Sequence, residues 1–198
     1  MKSSLIIVFG KNIVKGKVKT RLAKTIGDSK ALQVYKILLM NTAKTLKSSK
    51  HDIAMFYSDF KPTNKTWSFA KYQRLQKGDL LGERLENAFK WGFKKGYKKI
   101  CVIGTDLWNI DLKLINDAFK ALKNCNVVFG PSSDGGYYLL GLKKMILPLF
   151  KIKSWGTKKV LEDSVKKISD NSIFYLAMMN DIDNEKDLKN HPDLISLI

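Results

Sequence analysis

Residues 99–106 read KICVIGTD, a short apolar run followed by glycine, threonine and the carboxylate Asp106. A continuous apolar run of this kind is typical of a strand buried on both faces of a parallel sheet. A helical pattern follows it from Leu112 to Leu122. In an open α/β sheet, ligands bind beyond the carboxyl ends of the strands. Asp106 therefore stands where a functional carboxylate is expected.

The rest of the chain repeats this alternation of short apolar runs and helical periods. Further strands are predicted at 4–9, 52–57, 72–76, 126–130 and 172–176, and further helices at 28–47 and 81–93. Strand followed by helix predicts βαβ units with right-handed crossovers. We therefore expect an α/β fold, with one domain over residues 1–198 and a mostly parallel twisted sheet covered by helices on both faces. The mixed pattern at 137–157 predicts a departure from this simple winding.

The composition argues against several classes of protein. A chain of 198 residues with 44% hydrophobic residues can build one substantial core. No stretch approaches the roughly 20 apolar residues that span a bilayer, and the first apolar run is too short for a secretory signal. These features predict a cytoplasmic protein without a membrane span. Cys101 and Cys125 lack metal-binding spacing, which predicts reduced thiols in the core.

The net charge of +18 suggests nucleic acid as a partner. Arginine accounts for only three of the 36 basic residues (Arg21, Arg74 and Arg84), and the lysines are scattered rather than gathered with aromatic residues into a binding motif. We therefore predict no specific nucleic-acid partner. The charge alone attracts phosphorylated small molecules.

A basic loop follows the first predicted strand. It reads GKNIVKGKVKTRLA (residues 10–23), in which Lys15, Lys17, Lys19 and Arg21 alternate. In an extended stretch alternate residues share one side, so the four cations could face one phosphate group just before a helix N-terminus. The alternative is one more lysine-rich surface loop. Neither GxxxxGK[ST] nor GxGxxG is present, which disfavours a P-loop NTPase and a dinucleotide enzyme.

A second loop of interest reads QKGDLLGERLENAF (residues 76–89). Its glycines, Gly78 and Gly82, would let the backbone approach a flat nucleobase closely. The alternative is a plain strand-to-helix turn, with Asp79 as the N-cap and Glu83 as its capping partner.

Acidic residues follow the last two predicted strands. In GPSSDGGYYLLGL (residues 130–142), Asp134 begins a glycine turn that is also a strong hairpin signal. In MMNDIDNEKDL (residues 178–188), Asp183 either faces a ligand or caps a helix that opens at Glu185. Taken together, the basic loop, the glycine turn at 78–82, Asp106 and Asp183 describe a site for a divalent metal and a nucleotide diphosphate, because carboxylates and phosphate oxygens are the ligands of Mg²⁺.

Six segments carry a resemblance to a known family: GKVKTRLA, GDLLGERLENAF, VIGTD, GPSSDGGYYLLGL, WGTKKVLEDS and DIDNEKDL, in that order. They resemble the radical-SAM/selenodomain-associated transferases of the glycosyltransferase A-type, or nucleotide-diphospho-sugar transferase, superfamily. That superfamily includes guanylyltransferases of molybdenum-cofactor and phospholactate metabolism, which look similar in the first loop and in the last segment. The resemblance implies a Rossmann-like fold of this type.

The resemblance also implies roles for individual residues. It implies Mg²⁺ or Mn²⁺ as a cofactor held by Asp106 and Asp183. The nucleotide-binding set comprises Gly10, Lys17, Lys19, Arg21, Gly78, Asp79, Gly82, Arg84 and Thr105. The acceptor-side set comprises Asp134, Gly135, Gly136, Tyr137, Trp155, Gly156 and Thr157. From these sets, the expected catalytic residues are Asp106, Asp134, Lys19 and Arg21.

The chain departs from the family pattern at three places. Leu107 and Trp108 stand where a cysteine and a proline are usual. The other replacements are Ile13 and Lys15 for two prolines of the first loop, and Asn184 and Glu185 for the threonine and proline of the last segment. The retained aspartates keep the expected metal site intact.

These features predict metal-dependent transfer from an activated nucleotide to a small-molecule acceptor. A nucleotide-diphospho-sugar glycosyltransferase is favoured by the family resemblance. One alternative is a guanylyltransferase-like nucleotidyltransferase that releases pyrophosphate, which a strongly basic loop suits. Another alternative is a nucleotide-binding protein without turnover.

Overall fold

A seven-stranded sheet forms the centre of the computed structural model, which describes residues 4–168 and 170–198. In spatial order the strands are β3-β2-β1-β4-β6-β5-β7. Their bounds are β1 Ser4–Gly10, β2 Asp52–Tyr57, β3 Tyr72–Leu75, β4 Lys99–Ile103, β5 Val127–Pro131, β6 Tyr137–Leu142 and β7 Ile173–Tyr175. All six strands predicted from the apolar runs are present within one or two residues, and β6 is an addition.

The sheet is mostly parallel, as predicted. β1 runs parallel to β2 and β4, β2 to β3, and β5 to β7. β6 is antiparallel to both of its neighbours, β4 and β5. The region 137–157 does depart from simple winding, because it starts with this antiparallel strand and continues into a short 3₁₀ helix, Leu147–Lys151.

Six α-helices connect or follow the strands in the described residues: α1 Thr20–Lys47, α2 Leu81–Lys94, α3 Leu112–Ala121, α4 Val160–Lys167, α5 Glu185–Lys189 and α6 Pro192–Ile195. The helix predicted at 28–47 begins earlier than expected. Gly27 has φ +81° and kinks α1, so the predicted segment is the part of the helix that follows the kink. No helix among the described residues is long and apolar enough to cross a membrane.

The helices cover both faces of the sheet because successive side chains of each strand point in opposite directions. In β1, Ile6 and Val8 pack with α1 and α3 on one face, whereas Leu5 and Ile7 pack with α2 on the other. Cys101 and Cys125 are free and buried, as predicted, and burial raises the pKa of each thiol. The continuous apolar runs are therefore explained by two buried faces.

A third, smaller cluster fastens the C-terminal segment to the outer side of α1. Leu22 and Leu38 of α1 pack there with Ile182, Leu188 and Leu194, and all of these side chains are buried. This cluster brings the segment around residue 182 next to the first turn of α1. It thereby sets the position of Asp181 and Asp183.

Replacing Leu38 with alanine should lower the free energy of unfolding by about 2–5 kcal/mol, because the substitution leaves a cavity at a fully buried position. Met40 lies in the same helix but is 61% exposed, so Met40→Ala should stay within about 0.5 kcal/mol of wild type. Urea unfolding followed by circular dichroism measures both. Equal effects of the two substitutions would contradict the position assigned to α1.

Candidate functional site

A cleft of about 1060 Å³ opens at the carboxyl ends of β1, β2 and β4. Its walls come from the loops that follow these strands, from the start of α2, from the turn between β5 and β6, and from the segments around 156 and 182. The location agrees with the rule that ligands of open α/β sheets bind beyond the carboxyl ends of strands.

An ion-pair network lies in this cleft. The Lys19 ammonium contacts Asp106 Oδ1 and lies 3.2 Å from Asp183 Oδ1. Arg21 Nη1 is 3.8 Å from Asp183 Oδ2. Three segments that are distant in sequence therefore meet here, and the two carboxylates predicted as metal ligands share one lysine.

Main-chain contacts explain how Asp106 and Asp183 are brought together. The Ile182 N–H donates to the Asp106 carbonyl oxygen at 3.0 Å, and Leu107 pairs with Asp181 in an isolated antiparallel bridge. Ile182 points into the cluster on α1 and is fully buried. Because alternate residues of an extended segment share a side, Asp181 and Asp183 both turn away from that cluster toward Lys19.

Asp181 is a third carboxylate of the site that the sequence reasoning did not select. Burial, together with the charges of Asp106 and Asp183, raises its pKa to about 7, while Lys19 opposes the shift. Its Oδ2 accepts a hydrogen bond from Ser132 Oγ at 3.1 Å. The cluster thus holds more acidic groups than its buried cation balances.

Lys19 keeps its proton despite its burial. Desolvation lowers the pKa of the lysine, but the ion pairs with Asp106 and Asp183 outweigh this effect, so the net pKa is raised. Breaking such a buried pair by removing one partner is costly, since the remaining charge stays uncompensated. Lys19 is therefore positively charged within the cleft.

The geometry predicted for the basic loop is wrong. Residues 15–17 form a turn in which Gly16 has φ +75°, and Arg21 already belongs to α1, so the four cations do not share one side of an extended stretch. Lys17, Lys19 and Arg21 line the cleft with Gly10, whereas Lys15 does not. Three of the four predicted cations still reach the site, because the turn and the helix start place them there.

Asn12 holds the first loop in place, a role that the sequence reasoning missed. Its side chain donates to the Phe60 carbonyl at 2.8 Å and accepts from Ser58 Oγ, Asp59 N and Phe60 N at 2.8–3.2 Å. The residue is 4% exposed. The loops after β1 and β2 are thus joined by one amide, and both line the cleft.

Thr105 is a buried residue of the cleft wall and is hydrogen-bonded to Tyr35. It is 2% exposed, and its hydroxyl donates to Tyr35 Oη at 3.4 Å. Tyr35 Oη in turn donates to the Lys11 carbonyl at 2.9 Å. Both Thr105 and Tyr35 line the cleft wall between β1 and β4.

The segment before α2 reaches the cleft only in part. Asp79 and Arg84 line it, whereas Gly78 and Gly82 do not. Gly78 has φ +120° and accepts the Arg84 Nε hydrogen bond through its carbonyl at 2.8 Å. A Cβ at Gly82 would lie 2.5 Å from both the Phe150 carbonyl oxygen and Trp155 Nε1, so this glycine allows close packing.

The proposed N-cap at Asp79 is also wrong. Leu80 is the N-cap of α2, and Glu83 accepts from the Asp79 backbone N–H at 2.9 Å. The Asp79 carboxylate is therefore not consumed by capping. It is available to the cleft that it lines.

The predicted acceptor-side residues form the opposite wall. Asp134, Gly136, Tyr137, Trp155, Gly156 and Thr157 line the cleft, whereas Gly135 does not. Gly135 has φ +88° and passes so close to the Lys158 carbonyl that a Cβ would clash with it. The turn 132–136 does join β5 and β6 as a hairpin, and Asp134 Oδ1 accepts from the Gly136 N–H at 2.9 Å. The hairpin and the cleft-lining interpretations of this turn are therefore compatible.

Asp183 does not cap the last helices. Asn184 is the N-cap of α5 and accepts from the Asp187 N–H at 3.1 Å, while Asp183 uses only its backbone N–H, which donates to Asp187 Oδ2 at 3.0 Å. The Asp183 carboxylate thus remains free to pair with Lys19 and to face the cleft. The capping alternative is wrong for this residue.

The donor set is of the type that Mg²⁺ or Mn²⁺ accepts, but it is small. Side chains of Asp106 and Asp183 are 43% and 38% exposed, so each can present carboxylate oxygen to the cleft. Among residues 4–168 and 170–198, no group of three or more His, Cys, Asp or Glu side chains is arranged to hold a metal. An ion at this site would take its other ligands from water and from phosphate oxygens, as Mg²⁺ commonly does.

Comparisons with known proteins agree with this fold. The sequence model of a family described as "Uncharacterized protein conserved in bacteria (DUF2064)" matches residues 39–157. The chain is 29% identical over 154 residues to a 2-phospho-L-lactate guanylyltransferase of Methanocaldococcus jannaschii, which covers 76% of this chain. The match spans 65% of the length of that relative.

Solved structures extend the comparison to nearly the whole chain. A protein of Desulfovibrio desulfuricans G20, proposed to be a nucleotide-diphospho-sugar transferase, superposes with a TM-score of 0.86 at 26% identity, covering 99% of this chain and 98% of that one. A cytidylyltransferase of Leptospira borgpetersenii superposes with a TM-score of 0.58 at 16% identity, covering 100% of this chain and 88% of that one. The fold is therefore that of nucleotide-diphospho-sugar transferases and cytidylyltransferases.

Removing the Asn12 amide should loosen the cleft. Asn12→Ala leaves the Asp59 and Phe60 backbone N–H groups without their partner, and we expect a loss of about 1–3 kcal/mol in the free energy of unfolding. Hydrogen exchange at residues 59 and 60 should accelerate in the same variant. Asn64 lies exposed in the neighbouring loop and accepts one hydrogen bond, so Asn64→Ala should stay within about 0.5 kcal/mol of wild type. Unchanged exchange at 59 and 60 in the Asn12 variant would refute the role of the amide.

Proposed function

The chain belongs to the family described as an uncharacterized protein conserved in bacteria (DUF2064), and we propose that it is a metal-dependent nucleotidyltransferase. It would transfer a nucleotide from a nucleoside triphosphate to a small-molecule acceptor and release pyrophosphate. The observation that carries this proposal is the joint placement of Asp106, Asp183 and Lys19 at the carboxyl end of β4 in a large open cleft.

The charges of the cleft suit a triphosphate bound to a divalent ion. Asp106 and Asp183 would hold Mg²⁺ or Mn²⁺, which offsets negative charge on the phosphate groups and on the departing pyrophosphate. Lys17 and Arg21 line the same cleft, and Arg21 is 69% exposed, so these cations can approach phosphate oxygens.

The opposite wall would receive the acceptor. Asp134, Tyr137 and Trp155 line it, and the ring centroids of Tyr137 and Trp155 lie 6.2 Å apart. An acceptor hydroxyl or phosphate oxygen held there attacks the α-phosphorus, the bond from that phosphorus to the bridging oxygen of the β-phosphate breaks, and pyrophosphate leaves. When the acceptor is a hydroxyl, its proton is released to solvent.

Relatives support the nucleotidyl reaction over the glycosyl one. The relatives of this chain in M. jannaschii and Methanocaldococcus fervens are both 2-phospho-L-lactate guanylyltransferases. Because a guanylyltransferase transfers GMP, GTP is the nucleoside triphosphate to test first. The resemblance to the radical-SAM/selenodomain-associated transferases in particular stays a prediction.

Glycosyl transfer remains the second candidate because of one comparison. The D. desulfuricans structure, proposed to be a nucleotide-diphospho-sugar transferase, covers 99% of this chain with a TM-score of 0.86. In that reaction the acceptor attacks an anomeric carbon, and a nucleoside diphosphate leaves. The same metal site would then neutralise the diphosphate.

The two reactions differ in the ligand that stabilises the protein. With Mg²⁺ present, a nucleoside triphosphate at about 100 times its Kd should raise the Tm by roughly 5–10 °C, because it binds only the folded state. Nucleotide sugars should raise it little. We expect the triphosphate shift to shrink in Asp106→Asn, since the metal-dependent part of binding is lost.

Asp117→Asn is the matched control, because Asp117 lies on α3, forms an ion pair with Lys113 and does not line the cleft. It should keep the full response. A shift with nucleotide sugars alone would move the assignment to glycosyl transfer, and an undiminished shift in Asp106→Asn would contradict the metal site.

A further inference from the structure

Lys19 occupies the inner side of the acidic pair. Its side chain is 3% exposed and contacts one oxygen of each of the two carboxylates, whereas Asp106 and Asp183 are 43% and 38% exposed. The lysine therefore contacts both acids from the protein side. Oxygens of the same acids face the cleft, where an ion would enter.

The backbone of Lys19 is held in an unfavourable conformation. Its φ is +47° and its ψ +42°, and among the described residues it is the one position other than glycine with a positive φ. A left-handed conformation is unfavourable for a residue with a Cβ, and such outliers persist where the surrounding structure imposes them. Lys19 is also the N-cap of α1, yet its side chain makes no capping bond. The side chain is committed to the acidic pair instead.

A metal ion at this place would bind the two carboxylates that Lys19 already contacts through one oxygen each. Asp106 Oδ1 and Asp183 Oδ1 both lie against the ammonium, and Arg21 approaches the other oxygen of Asp183. An ammonium and a divalent cation repel each other at such short range. Binding of the metal is therefore opposed as long as Lys19 stays where it is.

We infer that Lys19 is a resident counter-ion that competes with divalent metal for the Asp106–Asp183 pair and weakens metal binding there until a phosphate-bearing nucleotide draws the ammonium away. The inference rests on the metal site of the proposed function. Nucleotide phosphates offer Lys19 another anionic partner in the same cleft, which releases the carboxylates to the ion. Metal and nucleotide then strengthen each other's binding, since such coupling is reciprocal.

Mn²⁺ binding without nucleotide tests this role. Lys19→Met keeps an unbranched side chain and removes the charge, so we expect it to bind Mn²⁺ about tenfold more tightly than wild type, a difference of about 1.4 kcal/mol. Electron paramagnetic resonance of free Mn²⁺ measures the affinity. Asp106→Asn added to Lys19→Met should abolish the gain.

Arg21→Met is the matched control for the general loss of positive charge. Arg21 is 69% exposed and touches Asp183 only loosely at 3.8 Å, so its removal should change Mn²⁺ affinity by no more than about twofold in physiological salt. The inference is overturned if Lys19→Met binds Mn²⁺ no more tightly than wild type, or if Arg21→Met produces the same gain.

A second measurement keeps the test valid should Lys19→Met fail to fold. In wild type, Mn²⁺ at saturating concentration should displace Lys19 and increase its acetylation by acetic anhydride, read by peptide mass spectrometry against the exposed Lys36 of α1. An unchanged ratio overturns the inference.

Pyrophosphate release by wild type is measured separately. If wild type releases pyrophosphate but Lys19→Met does not change the Mn²⁺ affinity, only the counter-ion role is contradicted. Tighter Mn²⁺ binding by Lys19→Met without any release contradicts only the proposed reaction.

Discussion

The contact of one lysine with two aspartates from distant parts of the chain organises the cleft. Lys19 precedes α1, Asp106 follows β4, and Asp183 comes from the C-terminal segment. Hydrophobic packing and a main-chain hydrogen bond help to bring the two acids together, because Ile182 is buried against α1 and its N–H is bonded to the Asp106 carbonyl. The ion pairs are attractive at this short distance, but burying Lys19 costs desolvation free energy, which the surrounding hydrophobic core offsets.

Much of the fold could be predicted from short apolar runs, because strands buried on both faces have no polar alternation and stand out from amphipathic helices. β6 was not predicted as a strand. It lies in a run of tyrosines and leucines directly after the glycine turn, whose hairpin signal agrees with its antiparallel pairing to β5, but its pairing with β4 joins segments that are distant in sequence. The pattern of the run alone does not contain that pairing.

The part of the candidate site that directly follows a strand or precedes a helix could be predicted from the sequence. Asp106 follows a strand, and Lys19 and Arg21 precede a helix, so their position in the cleft could be anticipated. Asn12 and Asp181 could not, because the first acts by joining loops 46–48 residues apart, and the second matters through burial beside other carboxylates. The alternation of lysines in the basic loop predicted an extended backbone with the cations on one side. That prediction was wrong because the chain turns at Gly16.

The central claim is that Asp106 and Asp183 form one cation-binding site with Lys19 behind it. The most direct test is a crystal structure with Mn²⁺ and a non-hydrolysable nucleoside triphosphate, in which anomalous scattering locates the metal. The account predicts a peak within coordination distance of both carboxylates, with the Lys19 ammonium turned toward phosphate. A metal bound elsewhere in the cleft, with Lys19 still bridging the two aspartates, would contradict it.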